Sequence, residues 1–210
     1  WNSDGTALRF TLRQGVNWHD GKPFTARDVK CTFDLLLGRG PETLRVNPRK
    51  TWYGNLDEIV VDGDHDVTLR LKRRQPSFIA MLASGFTPIY PCHLTPQQMR
   101  QSPIGTGPFK FAEFRRNEII RVVRNPDYWK PGRPYLDGID WQIVKNASTG
   151  MLTFVAGQAD MTSPHFLQVP MLNDIKKQAP HSVCKLISSN VQRNVIINRT
   201  IAPFNNADLR

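Results

Sequence analysis

The sequence has few cysteines, and their spacing is not that of a metal site. The three cysteines, Cys31, Cys92 and Cys184, lie far apart, with no Cys-x-x-Cys pair and no histidine pair at zinc-ligand distance. We therefore predict no metal site and no cofactor. An odd number of cysteines leaves at least one thiol free, and the sequence leaves open whether the other two form a disulfide.

Long apolar segments and long basic segments are also missing. The longest apolar run, residues 78–83, has six residues, whereas a membrane-spanning helix needs about 20. The formal charge of +10 comes from 28 basic against 18 acidic residues, but the basic residues are scattered in short groups such as 72–74. A basic, solvated surface is therefore the preferred interpretation, with no nucleic-acid partner. Docking to anionic lipid or nucleic acid stays an alternative.

The sequence does contain interleaved strand and helix patterns, with the composition of a globular protein (40% hydrophobic, 22% charged). Apolar and polar residues alternate, as in half-buried strands, at 8–12, 67–71 and 139–143. Further segments rich in apolar residues predict strands at 59–61, 109–114, 119–123, 183–187 and 191–197. Helical spacing or start signals predict helices at 26–37, 77–83, after Thr95, at 148–156 and at 169–178. Frequent hairpins indicate a mixed α/β (α+β) class with partly antiparallel sheets.

Local signals also predict where the elements start and stop. Thr25, followed three residues later by Asp28, is expected to cap the first helix, and Gly38 begins the segment that ends it. Ser148 is expected to cap a later helix that Gly157 ends. The proline-rich stretch before Ser102 suggests a division into two subdomains, 1–102 and 103–210.

The stretch Trp18-His19-Asp20-Gly21 raises the possibility of catalysis, because a histidine oriented by an acid can act as a general base. Neighbours in sequence usually point apart, however, and no serine in a Gly-x-Ser-x-Gly elbow accompanies the pair. The preferred interpretation is that Asp20-Gly21 form a turn while Trp18 packs inward. A hydrolase that uses His19 and Asp20 stays the alternative.

Two other groups of residues could contribute to binding. The loop Gly105-Thr106-Gly107 lacks the lysine of a phosphate-binding loop and leads into a strand, so a tight backbone turn is preferred. Several aromatic residues could stack on a ligand, although most are core residues by default: Trp18, Trp52, Tyr53, Tyr128, Trp129, Tyr135 and Trp141.

Taken in order, these segments resemble the bacterial extracellular solute-binding proteins of family 5, the dipeptide-, oligopeptide- and nickel-binding components of ABC importers. The resemblance extends over essentially the whole chain. Its motifs are matched by Trp18-His19-Asp20-Gly21, Pro23-Phe24-Thr25-Ala26, Asp28-Val29, Gly105-Thr106-Gly107-Pro108-Phe109, Arg124-Asn125-Pro126, Tyr128-Trp129, Leu136-Asp137-Gly138-Ile139, Gly157 with Asp160-Met161, and Pro203-Phe204 with Asp208 and Arg210.

The resemblance implies a periplasmic-binding-protein-like fold of type II, in which two hinged lobes close on a solute and deliver it to a membrane permease. The chain starts at Trp1, so we expect an excerpt that holds one lobe: the small subdomain at 1–102 and much of the main subdomain at 103–210. The second lobe is expected to be absent. The family also implies a monomeric, non-enzymatic, periplasmic protein, or a lipid-anchored one outside a one-membrane cell.

The resemblance also suggests which loops face the solute. These are Ser84, Gly85 and Phe86 after the apolar helix, and Thr162, Ser163 and His165 after the third motif. Nickel-binding relatives are expected to carry a basic residue near position 84, so the small Ser84 disfavours nickel. A peptide is the preferred solute, and an oligosaccharide stays an alternative.

Overall fold

The computed structural model describes residues 1–44, 47–162, 167, 169–185 and 198–209. The chain divides into two compact units, residues 1–143 and residues 144–210. No helix in the described ranges combines the length and the apolar character needed to cross a bilayer. The division into subdomains at residue 102 stays a prediction.

The first sheet of unit 1–143 is antiparallel and has the strand order β1-β3-β2. Its strands are β1 (Ala7–Thr11), β2 (Leu56–Val61) and β3 (Asp66–Leu71). Leu8 of β1 and Ile59 of β2 both lie opposite Leu69 of β3, so one face of the sheet is apolar. The predicted hairpin is confirmed, with a connection at residues 62–65.

Helix α1 (Ala26–Leu37) packs its apolar face on this sheet, and together they form the main core. The buried cluster consists of Leu8, Ala26, Val29, Phe33, Leu36, Leu37, Tyr53, Leu56, Ile59, Val67, Leu69, Leu71 and Phe78. Burial of each large side chain stabilises the fold by roughly 1.5–3 kcal/mol. Gly38 ends α1 in a left-handed conformation with φ 69°, as predicted.

The rest of unit 1–143 consists of short helices and a second antiparallel sheet. A 3-10 helix spans Lys50–Tyr53, followed by α2 (Phe78–Leu82) and α3 (Pro96–Gln101). The second sheet has the order β4-β5-β6, with strands Phe109–Arg115, Ile119–Arg124 and Gly138–Gln142.

The second sheet has a charged row and an apolar row on opposite faces. Arg121 donates two hydrogen bonds to Asp140, both at 2.8 Å, and a third to Glu113 at 3.3 Å. The next row across the sheet is Phe114, Ile120 and Trp141. Successive side chains of a strand point to opposite faces, so the two rows are separated by the backbone.

Unit 144–210 contains α4 (Ala147–Val155) and α5 (Val169–Gln178), which pack against each other. The predicted cap at Ser148 is wrong. Asn146 caps α4, because its backbone is extended and its side chain accepts the Thr149 N–H at 2.9 Å, whereas Ser148 is already inside the helix. Of the predicted strands, 191–197 lies outside the described residues, and 183–185, the described part of 183–187, is not a strand.

A buried polar row on α1 connects this helix to the segment that follows α2. The Asp28 carboxylate accepts N–H groups from Thr25 at 2.9 Å, from Cys92 at 2.9 Å and from the Trp18 indole at 3.3 Å. One turn later, the Thr32 hydroxyl accepts the Tyr90 N–H at 2.8 Å.

A covalent link reinforces the same contact. Cys31 of α1 and Cys92 form a disulfide, with Cα atoms 5.8 Å apart, a separation usual for such bonds. The disulfide that the sequence left open is therefore present, and Cys184 is free. Segment 90–92 is thus attached to α1 by the disulfide and by two backbone N–H groups, which donate to the side chains of Asp28 and Thr32.

Asp28→Asn is expected to lower the free energy of unfolding by about 1–3 kcal/mol. An amide keeps one acceptor oxygen and places an NH2 group against a buried N–H donor. The matched control is Asp34→Asn on the same helix, because Asp34 is partly exposed and pairs with Lys30 at 2.9 Å. The control should change stability by no more than about 0.5 kcal/mol. Urea unfolding measures both, and equal losses would contradict the role of Asp28.

Candidate functional site

The Trp18-His19-Asp20-Gly21 corner is a turn with its tryptophan buried, as predicted. The Gly21 N–H donates to the Trp18 carbonyl at 2.8 Å, and Gly21 has φ 86°, where a side chain would be strained. The Trp18 side chain is 3% exposed and packs edge-on against Phe24 at 5.7 Å between ring centroids. The corner therefore anchors the loop that leads into α1.

His19 uses both of its ring nitrogens to hold the glycine loop at 105–107. Its Nδ1 accepts the Gly105 N–H at 3.1 Å, so Nε2 carries the proton and donates to the Gly107 carbonyl at 3.0 Å. Burial, aided by the nearby Lys110, lowers the pKa of His19 below 6.5, although the Gly107 bond and Asp20 oppose the shift. The neutral ring of His19 therefore links the corner to the glycine loop at 105–107.

Asp20 pairs with a different histidine. Its carboxylate accepts a hydrogen bond from His93 Nε2 at 2.7 Å. Burial opposes ionisation, but the bond from His93, with help from the Lys22 backbone, holds the pKa of Asp20 below 3.8. The His19–Asp20 hydrogen bond that the hydrolase alternative needs is thus replaced by two separate structural contacts.

The predicted ligand-facing residues Ser84, Gly85 and Phe86 lie in a short loop after α2. Both ends of the loop are bonded to one carbonyl of α2. Ser84 Oγ donates to the Met81 carbonyl at 2.6 Å, and Thr87 Oγ1 donates to the same carbonyl at 3.1 Å. The Tyr53 hydroxyl lies 2.7 Å from Thr87 Oγ1. These contacts hold the ends of the loop in place.

Sequence reasoning missed the partners of Phe86. The exposed ring of Phe86 meets the exposed ring of Trp52 edge-to-face, at 5.9 Å between centroids. Arg49 donates to the Phe86 carbonyl through Nη1 and to the Tyr90 hydroxyl through Nη2, the latter at 3.0 Å. Trp52 stood among the aromatic residues that could stack on a ligand, but its pairing with Phe86 has no local sequence signal.

The second predicted segment is described in part. Thr162 is half-buried in unit 144–210, after α4 and Gly157. Ser163 and His165 lie outside the described residues. Within the described ranges, no three His, Cys, Asp or Glu side chains are grouped so that they could hold a metal ion. The candidate site of unit 1–143 is therefore the uncharged loop at 84–87, in which Phe86 is the one large apolar side chain.

His19→Gln should reduce the loss of stability on acidification. Native His19 favours the neutral ring, so its contribution is complete above pH 6.5 and is lost as the pH falls through the lower native pKa. The glutamine variant should be less stable than the unsubstituted protein at pH 7.5 and should lose less stability between pH 7.5 and pH 5.

Thermal unfolding at several pH values measures this effect. His181→Gln is the matched control, because His181 is exposed, and it should keep the original pH profile. An unchanged profile in His19→Gln would show that the ring does not titrate as inferred.

Two curated relatives align with most or all of this chain. Oligopeptide-binding protein AppA of Bacillus subtilis (strain 168) is 31% identical over 176 residues, which cover 79% of this chain and 30% of AppA. Glutathione-binding protein GsiB of Salmonella typhi is 28% identical over 219 residues, which cover 100% of this chain and 40% of GsiB. The chain thus spans less than half the length of these relatives.

A solved structure shares the fold. The oligopeptide-binding protein AppA from Bacillus subtilis, in complex with a nonapeptide, matches with a TM-score of 0.71 and 27% sequence identity, covering 85% of this chain and 36% of that one. The predicted fold class is confirmed: the mixed sheets and helices are part of a type II periplasmic-binding-protein fold.

The sequence profile of the bacterial extracellular solute-binding proteins, family 5 (middle region), matches residues 1–210. This match covers the corner, the glycine loop held by His19 and the loop at 84–87. The chain belongs to the bacterial extracellular solute-binding proteins of family 5.

Proposed function

We propose that this chain is part of the substrate-binding component of an ABC importer that captures a peptide outside the cytoplasm. The observation that carries the proposal is the loop at 84–87, whose backbone is fixed on both sides while Gly85 and the Phe86 ring stay exposed. Two of the similar proteins are named as oligopeptide- and glutathione-binding, which favours a peptide as solute.

A loop with a fixed backbone is suited to binding a peptide. Binding to a flexible loop would cost conformational entropy, whereas this loop is already held by Arg49, Tyr53 and the contacts of α1 with segment 90–92. In a two-lobed protein, a ligand that contacts both lobes stabilises the closed state by its higher affinity for that state. The closed form would then dock on a membrane permease.

The proposed function is binding without turnover. A general base needs a free nitrogen near the proton that it removes, and both ring nitrogens of His19 are engaged with the backbone of 105–107. The Asp20 carboxylate is engaged with His93. These contacts support a structural role for the corner and a protein that carries its solute unchanged.

The remaining parts of the proposal follow the family. Residues 1–102 would form the small subdomain and 103–210 part of the main one, in a protein that is monomeric and periplasmic or lipid-anchored. Ser84, Gly85 and Phe86 would contact the solute, together with Thr162, Ser163 and His165. The uncharged loop around Ser84 favours a peptide over a nickel complex.

Isothermal titration of the full-length protein that carries this chain tests the function. Tripeptides should bind saturably at one site, and mass spectrometry should recover them uncleaved. At a ligand concentration of 100 times Kd, binding should stabilise the protein by about 2.7 kcal/mol in thermal unfolding. Nickel chloride and a maltose oligomer are the comparison ligands. Binding of either one in place of every peptide, or cleavage of a peptide, would contradict the proposal.

A further inference from the structure

Two exposed aromatic rings stand together beside the candidate loop. Trp52 is 45% exposed and Phe86 is 64% exposed, although both are large apolar side chains. Their planes are at 89°, the edge-to-face arrangement that aromatic pairs prefer. A bound apolar group would remove part of both rings from water.

The positions of both rings are set by contacts of the backbone and side chains next to them. Trp52 belongs to the 3-10 helix Lys50–Tyr53, in which the neighbouring Tyr53 is completely buried and packs edge-on against Phe33 of α1 at 5.4 Å. The carbonyl of Phe86 is held by Arg49, which also donates to the Tyr90 hydroxyl. The rings therefore form a preorganised surface, which reduces the entropy lost on binding.

The space in front of the loop is open. A Cβ atom added to Gly85 would meet no heavy atom within 4 Å, so a ligand can approach the backbone beside the Phe86 ring. Gly85 itself is exposed. An open approach next to two fixed rings is the geometry of a shallow side-chain subsite.

The positive charge near the rings favours some side chains of a bound peptide over others. Arg49, which precedes the helix that carries Trp52, is cationic and donates to the Phe86 carbonyl, whereas the loop at 84–87 carries no charge. A lysine or arginine side chain could use the ring faces through cation–π attraction, but the like charge of Arg49, which is bound to the Phe86 carbonyl, opposes it. An aromatic or large aliphatic side chain meets no such opposition.

We propose that Trp52 and Phe86 form a subsite for an aromatic or large aliphatic side chain of the bound peptide, with Arg49 as the positioning residue. This inference rests on the proposed peptide-binding function. It assigns a specificity to the loop, and it predicts discrimination against cationic side chains at the same position.

Titration of the full-length protein with a tripeptide set tests the subsite. The set consists of tri-alanine and its variants with phenylalanine or lysine at each of the three positions. At one position, phenylalanine should raise the affinity about tenfold or more over alanine, and lysine there should not. In Trp52→Ala the advantage of phenylalanine over alanine should fall to about twofold or less.

Two further variants complete the design. Arg49→Lys keeps the charge but cannot hold the Phe86 carbonyl and the Tyr90 hydroxyl together, so it should reduce the preference for phenylalanine more than the affinity for tri-alanine. Tyr135→Ala removes an exposed aromatic ring elsewhere in unit 1–143 and should keep the full preference. Thermal unfolding establishes that each variant is folded, and Phe86→Ala replaces Trp52→Ala if the latter does not fold.

The outcomes separate this inference from the function on which it rests. If peptides bind but phenylalanine has no advantage, or if Trp52→Ala keeps that advantage, the subsite is wrong and the peptide-binding function stands. A preference for lysine would also overturn the subsite. If none of the tripeptides binds, the proposed function fails and the subsite falls with it.

Discussion

The buried carboxylate of Asp28 joins the start of α1 and the corner before it to the distant segment around Cys92. It accepts N–H groups from the Trp18 indole, from Thr25, which caps α1, and from Cys92. A buried carboxylate without such donors would be strongly destabilising, so the three segments are stable as a set. From the corner, His19 extends the connection to the glycine loop at 105–107, and from Cys92 the chain leads back to the loop at 84–87.

This arrangement explains why the most distinctive sequence motif does not touch the solute in the proposed function. Trp18 and His19 direct their polar atoms at Asp28 and at backbone groups, which leaves them no group for a ligand or a reaction. The proposed solute-facing surface is the uncharged loop at 84–87, and its shape is set by contacts with Arg49, Tyr53 and the segment bound to α1. Because the corner and the loop have separate roles, residues of the loop can change, and ligand specificity with them, while the contacts that stabilise the fold are kept.

The elements that were predictable depend on local signals. Alternation or short apolar runs predicted β1 to β6, helical spacing predicted α1, and Thr25 with Asp28 predicted its start, because each signal spans only a few residues. The start of α4 was misplaced, since Asn146 and Ser148 are both good capping residues and only the backbone conformation decides between them. The Cys31–Cys92 bond and the Trp52–Phe86 contact join residues far apart in sequence, so no local pattern contains them. The loop at 84–86 came from the family resemblance alone.

Asp28 couples the corner to segment 90–92, which supports the proposed solute-facing loop at 84–87. Hydrogen–deuterium exchange in the unsubstituted protein and in Asp28→Asn tests this coupling most directly, because exchange reports local opening segment by segment. The account predicts faster exchange at residues 84–94 and 18–25 in the variant, with the protection of β4, β5 and β6 retained. Unchanged protection at residues 84–94, with the variant confirmed by mass, would contradict it.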